Sequence, residues 1–364
     1  MKEQTEYQNQ YHLFSAQTIR ITLFVYVYVR LLSEETCVLD IFLNPLFFFL
    51  DGMALKIEEE ENLPHFLYKK FRTFLIPYFF FAFLLVVLDT LLLPIEGGNI
   101  ELSHFTSSLI YVFTSSRVYS LWYLPSLFFG ETIVYLIHRI GKDNLIMETS
   151  LSFLVLVLSL LYNHFLHFYL PLSLDASFIG SFYLYLGYLS MHSRLKKARD
   201  FLFRGRILSF LISVLLLSLS SILAITIYKT YGTTFSGSKA IYSPYQYILP
   251  TSLIGILGIL FLSYSIRNRV FDHIGKMTMV ILAFEEEVWI KIYRNLIAKD
   301  WFISFQGSHS WNIEEISCCF LGALFAVLCS IPLYYLFFKT PLCVIFNRKW
   351  EKKKSSISHP EITE

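Results

Sequence analysis

The chain is poor in charge. Asp, Glu, Lys and Arg make up 16% of its 364 residues, while 55% are hydrophobic. A soluble domain carries roughly 25% charged residues, so this deficit excludes an ordinary soluble globule. Cysteine is scarce too. Of Cys37, Cys318, Cys319, Cys329 and Cys343, four lie in apolar runs and the last follows one. No pair has metal-ligand spacing, so neither a metal centre nor a disulfide framework is indicated, and the cysteines read as structural thiols. Alternation of apolar and polar residues with period two is missing, which argues against a transmembrane barrel. The first twelve residues are polar and of mixed charge, unlike a cleavable signal peptide. No internal repeat and no soluble domain stands out.

Apolar sequence is what the chain has in quantity. Ten segments read as spanning helices: about 14–32, 37–55, 73–94, 118–138, 144–163, 175–191, 207–229, 245–265, 277–297 and 314–338. A helix rises ~1.5 Å per residue and must cross ~30 Å of hydrocarbon. Most segments are long enough, and the first and sixth are marginal. Pro171 breaks the apolar stretch 164–174, which reads as an interfacial or re-entrant loop. Lys and Arg in the loops set the orientation. Alternate loops and the ends hold 22 of the 30 basic residues, and the opposite loops hold 3, namely Arg117, Lys239 and Lys299. The expected fold class is therefore all-α: a polytopic integral membrane protein of about ten transmembrane helices with both termini cytoplasmic. A single membrane domain covers 1–346, and 347–364 is a charged cytoplasmic tail. Its lysines suit solvent or anionic membrane lipid rather than nucleic acid. The outer loops 95–117 and 298–313 are too short to fold alone.

The densest motif is PLFFFLDGMALKIEEEENLPHFLYKKFRTFLIPYFFF, residues 45–81. A phenylalanine-rich helix ends at Asp51-Gly52, an acidic loop follows, and a basic cluster precedes the next helix. Lys69, Lys70 and Arg72 read either as positive-inside anchors or as a clamp for the phosphates of an anionic substrate. A second motif is ILAFEEEVWI, 281–290, where Glu285, Glu286 and Glu287 interrupt an apolar run. A carboxylate near a bilayer centre costs at least ~2.5–3.5 kcal/mol on insertion scales. Successive helical residues point ~100° apart, so the three cannot share one cavity. Lys291 stands i+4 from Glu287, a natural partner. The triple reads as a satisfied polar position, a lesion, or a misplaced helix boundary.

These residues resemble membrane acyltransferase family 3, the sugar and polysaccharide O-acetylase type. That family shows a phenylalanine-rich helix ending in Ser-Gly, then a Lys/Arg cluster, then Leu-Ile-Pro-Tyr. Here they are Phe47 to Gly52, Lys69-Lys70-Phe71-Arg72 and Leu75-Ile76-Pro77-Tyr78. LWYLPSLFFGE, 121–131, resembles the family's Leu-Trp-Phe-Leu with a glutamate downstream, matched by Trp122 and Glu131. SFIGSFYLYLGYLS, 177–190, resembles its Phe-x-x-x-Gly-Tyr helix, and IGKMTMVILAF, 274–284, its Ile-Gly-Lys lead into a late helix. The resemblance covers roughly 40–300 and implies the ten-helix topology.

It also implies transfer of an acyl group, usually acetyl, from acyl-CoA to a hydroxyl of a sugar or glycan precursor at the inner (plasma) membrane. Acetyl-CoA or another acyl-CoA is then a donor substrate with no bound cofactor or metal, and surface-polysaccharide biosynthesis proteins are candidate partners. Such chemistry asks for a base on the acceptor, donors for the developing oxyanion, and cations for CoA. Arg72, Lys69 and Lys70 match the phosphate-binding positions, Trp122 a packing position against donor or acceptor, and Glu131 an orienting or proton-relaying one.

The chain departs from the family where the chemistry is expected. The first helix offers Arg20, but Leu31 stands in the region of the usual histidine. Asn44 stands where His-Met-Pro has its histidine, Asp51 replaces the serine of Ser-Gly, and Glu285 aligns with a late-helix histidine. Asp51 and Glu285 are candidate replacement bases, and Asn44 is a hydrogen-bonding candidate. Two other readings stay open: an inactive member that keeps the fold, and a polysaccharide exporter or flippase-like carrier. His164 and His167 read as interfacial solvation, His138 and His192 as cations at helix ends, and His104 as a possible glycan contact. The basic loop 192–206 suits an anchor, or a contact to CoA or lipid headgroups.

Overall fold

A computed structural model of the chain describes residues 40–58, 61–96, 98–99, 101–114, 119–166, 169–191, 205–231, 244–266, 274–275, 277–298 and 313–346. The segment 14–32 with Arg20, Leu31, Cys37, His167, His192, the basic residues 194–204, and the tail 347–364 lie outside them.

The described residues form helices and no strand. They are α1 (Asp40–Ala54), α2 (Leu63–Leu92), α3 (Leu102–Thr114), α4 (Tyr123–Gly141), α5 (Leu145–Phe165), α6 (Leu174–Ser190), α7 (Arg206–Tyr231) and α8 (Tyr245–Ser265). They continue with α9 (Thr278–Phe284), extended by π-helical turns Glu285–Ile290 and Tyr293–Ile297, and α10 (Ile313–Phe338). Five stretches are long and apolar enough to cross a membrane: α2, α5, α7, α8 and Phe320–Phe338 of α10. Helices α1, α4, α6 and α9 fall on expected segments but are shorter or more polar. The chain is an all-α membrane protein.

Helix α1 lies at the centre, with twelve of its fifteen residues buried, between α6 and α8. Glycine permits this. A Cβ on Gly187 of α6 would stand 1.9 Å from the Phe49 carbonyl oxygen, and one on Gly52 of α1 would stand 2.0 Å from that of Leu184. The two backbones therefore touch, as small residues allow between membrane helices. Helix α7 turns Ser209, Ser213, Ser220 and Ala224 inward and packs on α8, where the Ser220 hydroxyl donates to the Thr251 carbonyl at 3.0 Å. Its other face exposes Ile207, Leu211, Leu215 and Ile222, as a lipid-facing helix does. Phe81 of α2, Phe284 of α9 and Phe337 of α10 close the opposite side, with ring centres 5.4–6.0 Å apart.

The expected outer loop 95–117 contains a helix, α3. Its own sequence, LSHFTSSLIYVFT, is too mixed in polarity to announce a helix, and packing on α2 supplies the rest. His104 lies beside Asp89 and Val112 beside Tyr78, so α3 runs antiparallel to α2. The Val112 carbonyl is one of the last four of α3 and lacks an intrahelical donor; the Tyr78 hydroxyl donates to it at 3.0 Å.

In an open helix, Gly→Ala stabilises by up to ~1 kcal/mol. At Gly187 the sign reverses: Gly187→Ala is expected to lower unfolding stability by about 1–3 kcal/mol through overpacking, measured as a drop in Tm of the detergent-solubilised protein.

Candidate functional site

Helices α1, α2 and α4, with the turn Tyr119–Trp122 before α4, bring together four of the residues singled out in the sequence. Asp51 sits one residue before the Gly52 contact, so its backbone is fixed by α6. The Tyr123 hydroxyl donates to Asp51 Oδ2 at 2.5 Å. Asp51 is partly exposed, and its Oδ1 has no hydrogen-bond partner among the described residues. Trp122 is buried, in ring contact with Phe48 at 6.3 Å and Tyr123 at 6.1 Å.

Two turns along α4, Glu131 meets Lys70 of α2, with Nζ 2.5 Å from Oε2. The two side chains are 13% and 4% exposed, so this pair is sealed. The ammonium also lies over the rings of Phe66 and Phe74, at 5.3 and 5.8 Å. Both members of the pair act electrostatically on Asp51.

Local chemistry places Lys70. Asn62 caps α2, its side chain accepting from the His65 N–H at 3.1 Å, and a proline follows at the first turn. Phe71–Leu75 is a π-helical turn. Pro77 gives the reason: it has no N–H for the Thr73 carbonyl four residues back, and its ring crowds that carbonyl. A wider turn relieves both, and π turns of this kind cluster at functional sites. The loop before α2 is tied to α4. The Glu61 carbonyl accepts from the Tyr135 hydroxyl at 2.6 Å and from the Arg139 guanidinium.

The basic cluster is divided. Lys70 is engaged with Glu131, and Lys69 faces Glu61 at 3.5 Å and Glu58 at 3.8 Å. Arg72 has no carboxylate partner among the described residues; its guanidinium lies 5.9 Å from the Tyr68 ring centre. Asn44, two turns before Asp51 on α1, has no hydrogen-bond partner among the described residues. Glu285 is fully buried in the π turn that packs against Tyr119–Trp122, α2 and α10.

Glu287 takes the partner that its spacing suggests, with Lys291 Nζ at 2.7 Å. The same ammonium reaches Asp89 of α2 at 2.7 Å, and His104 of α3 lies 3.1 Å from the other oxygen of Asp89. His104 is thus engaged with Asp89 at the α2–α3 contact while its side chain stays 38% exposed. His138 lies 3.0 Å from Glu148 and 3.7 Å from Asp143, across a turn whose Lys142 and Asp143 have positive φ. One ligand atom from each of the three falls within 4.8 Å of the others, but both imidazole nitrogens already face carboxylates. His164 is exposed at the end of α5, against the ring of Phe165.

The family comparison bears on the scaffold as a whole. The family model described as an acyltransferase domain matches residues 10–335. The chain belongs to acyltransferase family 3. No curated protein and no solved structure matches it. Membership assigns it to the membrane acyltransferases, whose members generally transfer acyl groups to sugars. Tyr123, one of 24 tyrosines, escaped the reading of the sequence. Its signal lay in Leu121-Trp122-Tyr123-Leu124, where the family motif has phenylalanine, just as Asp51 stands for serine.

The Lys70–Glu131 pair sets a stability test. Lys70→Met leaves a buried carboxylate without its cation and is expected to cost about 3–5 kcal/mol. Adding Glu131→Gln removes the charge and should recover most of that loss, read as Tm of the purified protein.

Proposed function

We propose that the protein is an integral membrane O-acyltransferase that moves an acyl group, acetyl in the simplest case, from acyl-CoA to a hydroxyl of a sugar or cell-surface glycan precursor at the inner (plasma) membrane. The observation that carries this reading is the family match over 10–335. Asp51 is the base the geometry favours. Glu131 is committed to Lys70, Glu285 is fully buried, and an amide such as Asn44 has no basic character near neutral pH. Among the described residues, Asp51 alone of the three carboxylates offers an oxygen that is neither bonded nor sealed.

In this scheme the acceptor hydroxyl gives its proton to Asp51 Oδ1 as its oxygen attacks the thioester carbonyl. The carbon–oxygen bond forms, the carbon–sulfur bond breaks, and the CoA sulfur leaves with the proton held on Asp51. The products are the ester and free CoA thiol. Arg72, the cation of the basic cluster without a carboxylate partner among the described residues, meets the donor's phosphates, where a guanidinium binds bidentately, and Lys69 adds charge beside it. Trp122, buried against Phe48 and Tyr123, backs the donor or acceptor site from within the protein. Glu131 keeps Lys70 in place next to Asp51.

A second reading, an inactive member, is favoured by one observation: Leu31, Asn44 and Glu285 stand where the family resemblance expects histidines. One assay separates the two. Membranes containing the chain are given labelled acetyl-CoA, and label is followed into envelope glycan. Transfer is expected, falling by ~10²-fold or more in Asp51→Asn, the scale of a lost general base. Arg72→Ala is expected to abolish transfer while membrane insertion is unchanged. No label from an inserted, folded wild-type chain supports the inactive reading.

A further inference from the structure

Asp51 and Tyr123 belong to different helices, and each is held by contacts other than the bond between them. The Asp51 backbone is set by the neighbouring Gly52, whose missing side chain lets α1 touch the Leu184 carbonyl of α6. The Tyr123 ring is held by its surroundings: Phe48 edge-on at 4.9 Å, Phe47 tilted at 5.6 Å, and Trp122 edge-on at 6.1 Å. Its backbone begins α4 directly after the turn Tyr119–Trp122, and its carbonyl accepts from the Ser126 hydroxyl at 2.8 Å. Two rigidly placed groups meet in one short hydrogen bond.

That bond removes a specific freedom. The last torsion of an aspartate side chain is broad and roughly two-fold, so an unheld carboxylate presents its oxygens over a range of directions. A donor from a fixed ring selects one orientation. With Oδ2 occupied, Oδ1 is the oxygen left to take a proton, on a side chain that is only partly buried. The groups around it do not compete for that task. Lys70 and Glu131 neutralise each other, and among the described residues no other donor reaches Asp51.

We infer that Tyr123 is a positioning residue for acyl transfer: its hydroxyl holds Asp51 Oδ2 so that Oδ1 faces the acceptor hydroxyl. The inference rests on Asp51 being the base. Tyr123 keeps its own proton throughout. The acceptor's proton travels to Oδ1 and then to the departing CoA sulfur, and the phenol remains the donor to Oδ2 at both stages. A positioned base of this kind works in proportion to its alignment.

Three variants test this: Tyr123→Phe, Asp51→Asn and the double variant, each assayed per folded molecule. Tyr123→Phe is expected to lower kcat on the order of tenfold or more with KM for donor and acceptor unchanged. In the Asp51→Asn background the same change is expected to have no further effect on the residual rate. Fluorotyrosine at 123, which restores a donor, is expected to return kcat close to wild type. Infrared difference spectra give a readout without turnover: the carboxyl band lost in Asp51→Asn should shift in Tyr123→Phe. Wild-type kcat in Tyr123→Phe overturns the inference, as does an equal loss of rate in both backgrounds, the mark of a purely structural bond. An unmoved infrared band overturns the bond itself. A wild-type chain that transfers nothing overturns the acyltransferase reading and the positioning role with it, while the infrared shift still reports whether the bond exists.

Discussion

The backbone contact between α1 and α6 governs the arrangement of this protein. Within a bilayer, apolar surface offers little drive for helices to associate, and close packing takes its place. Here the Phe49 carbonyl lies against Gly187 and the Leu184 carbonyl against Gly52. Two such contacts fix the rotation of α1 as well as its position along α6. Twelve of the fifteen described residues of α1 are buried. Its burial between α6 and α8 is also why it tolerates a carboxylate at all, and Asp51 inherits its place from the glycine beside it.

A second constraint is charge. In a low-dielectric interior each ionised group needs a partner, and breaking such a pair costs more than forming it gains. The chain uses this to join helices. Lys70 and Glu131 tie α2 to α4, and Lys291 ties α9 to α2 through Asp89 while also holding Glu287. Both ties lie at π-helical turns or directly beside them. A π turn alters the angular relation between the residues before and after it, so a charge can be aimed at a partner on another helix without displacing the apolar stripe that follows. The basic cluster thus divides its labour: among the described residues, its two lysines face carboxylates and the guanidinium of Arg72 does not.

The reading of the sequence and the structure agree where the signal is local. The apolar runs from 73 to 338 all carry helices, because length and hydropathy are properties of one segment. The Glu287–Lys291 pair was legible for the same reason, since i and i+4 face each other on any helix. Helix α3 was not, because half its reason for being helical lies in α2: the Tyr78 hydroxyl on its last turn and Asp89 beside His104. The Lys70–Glu131 pair was hidden likewise. Each residue was noticed for a separate task, and nothing in the sequence joins positions on two different helices. Tyr123 was hidden by abundance, since a tyrosine among so many reads as part of an interfacial belt.

The polar departures from the family motifs bear on whether the chain has decayed. A carboxylate placed alone among buried aromatic side chains carries an unpaid desolvation cost, and a buried phenol usually finds a partner as well. Random loss would scatter such groups without regard to one another. Asp51 for serine and Tyr123 for phenylalanine lie 72 residues apart in the chain, yet they meet as donor and acceptor in one bond. Glu287 likewise comes with Lys291, and Lys291 with Asp89. Only the first of these pairs joins two departures from the family motifs; the others are pairings within this chain. Pairing of this kind leaves each of these polar groups with a partner, as a low-dielectric interior requires.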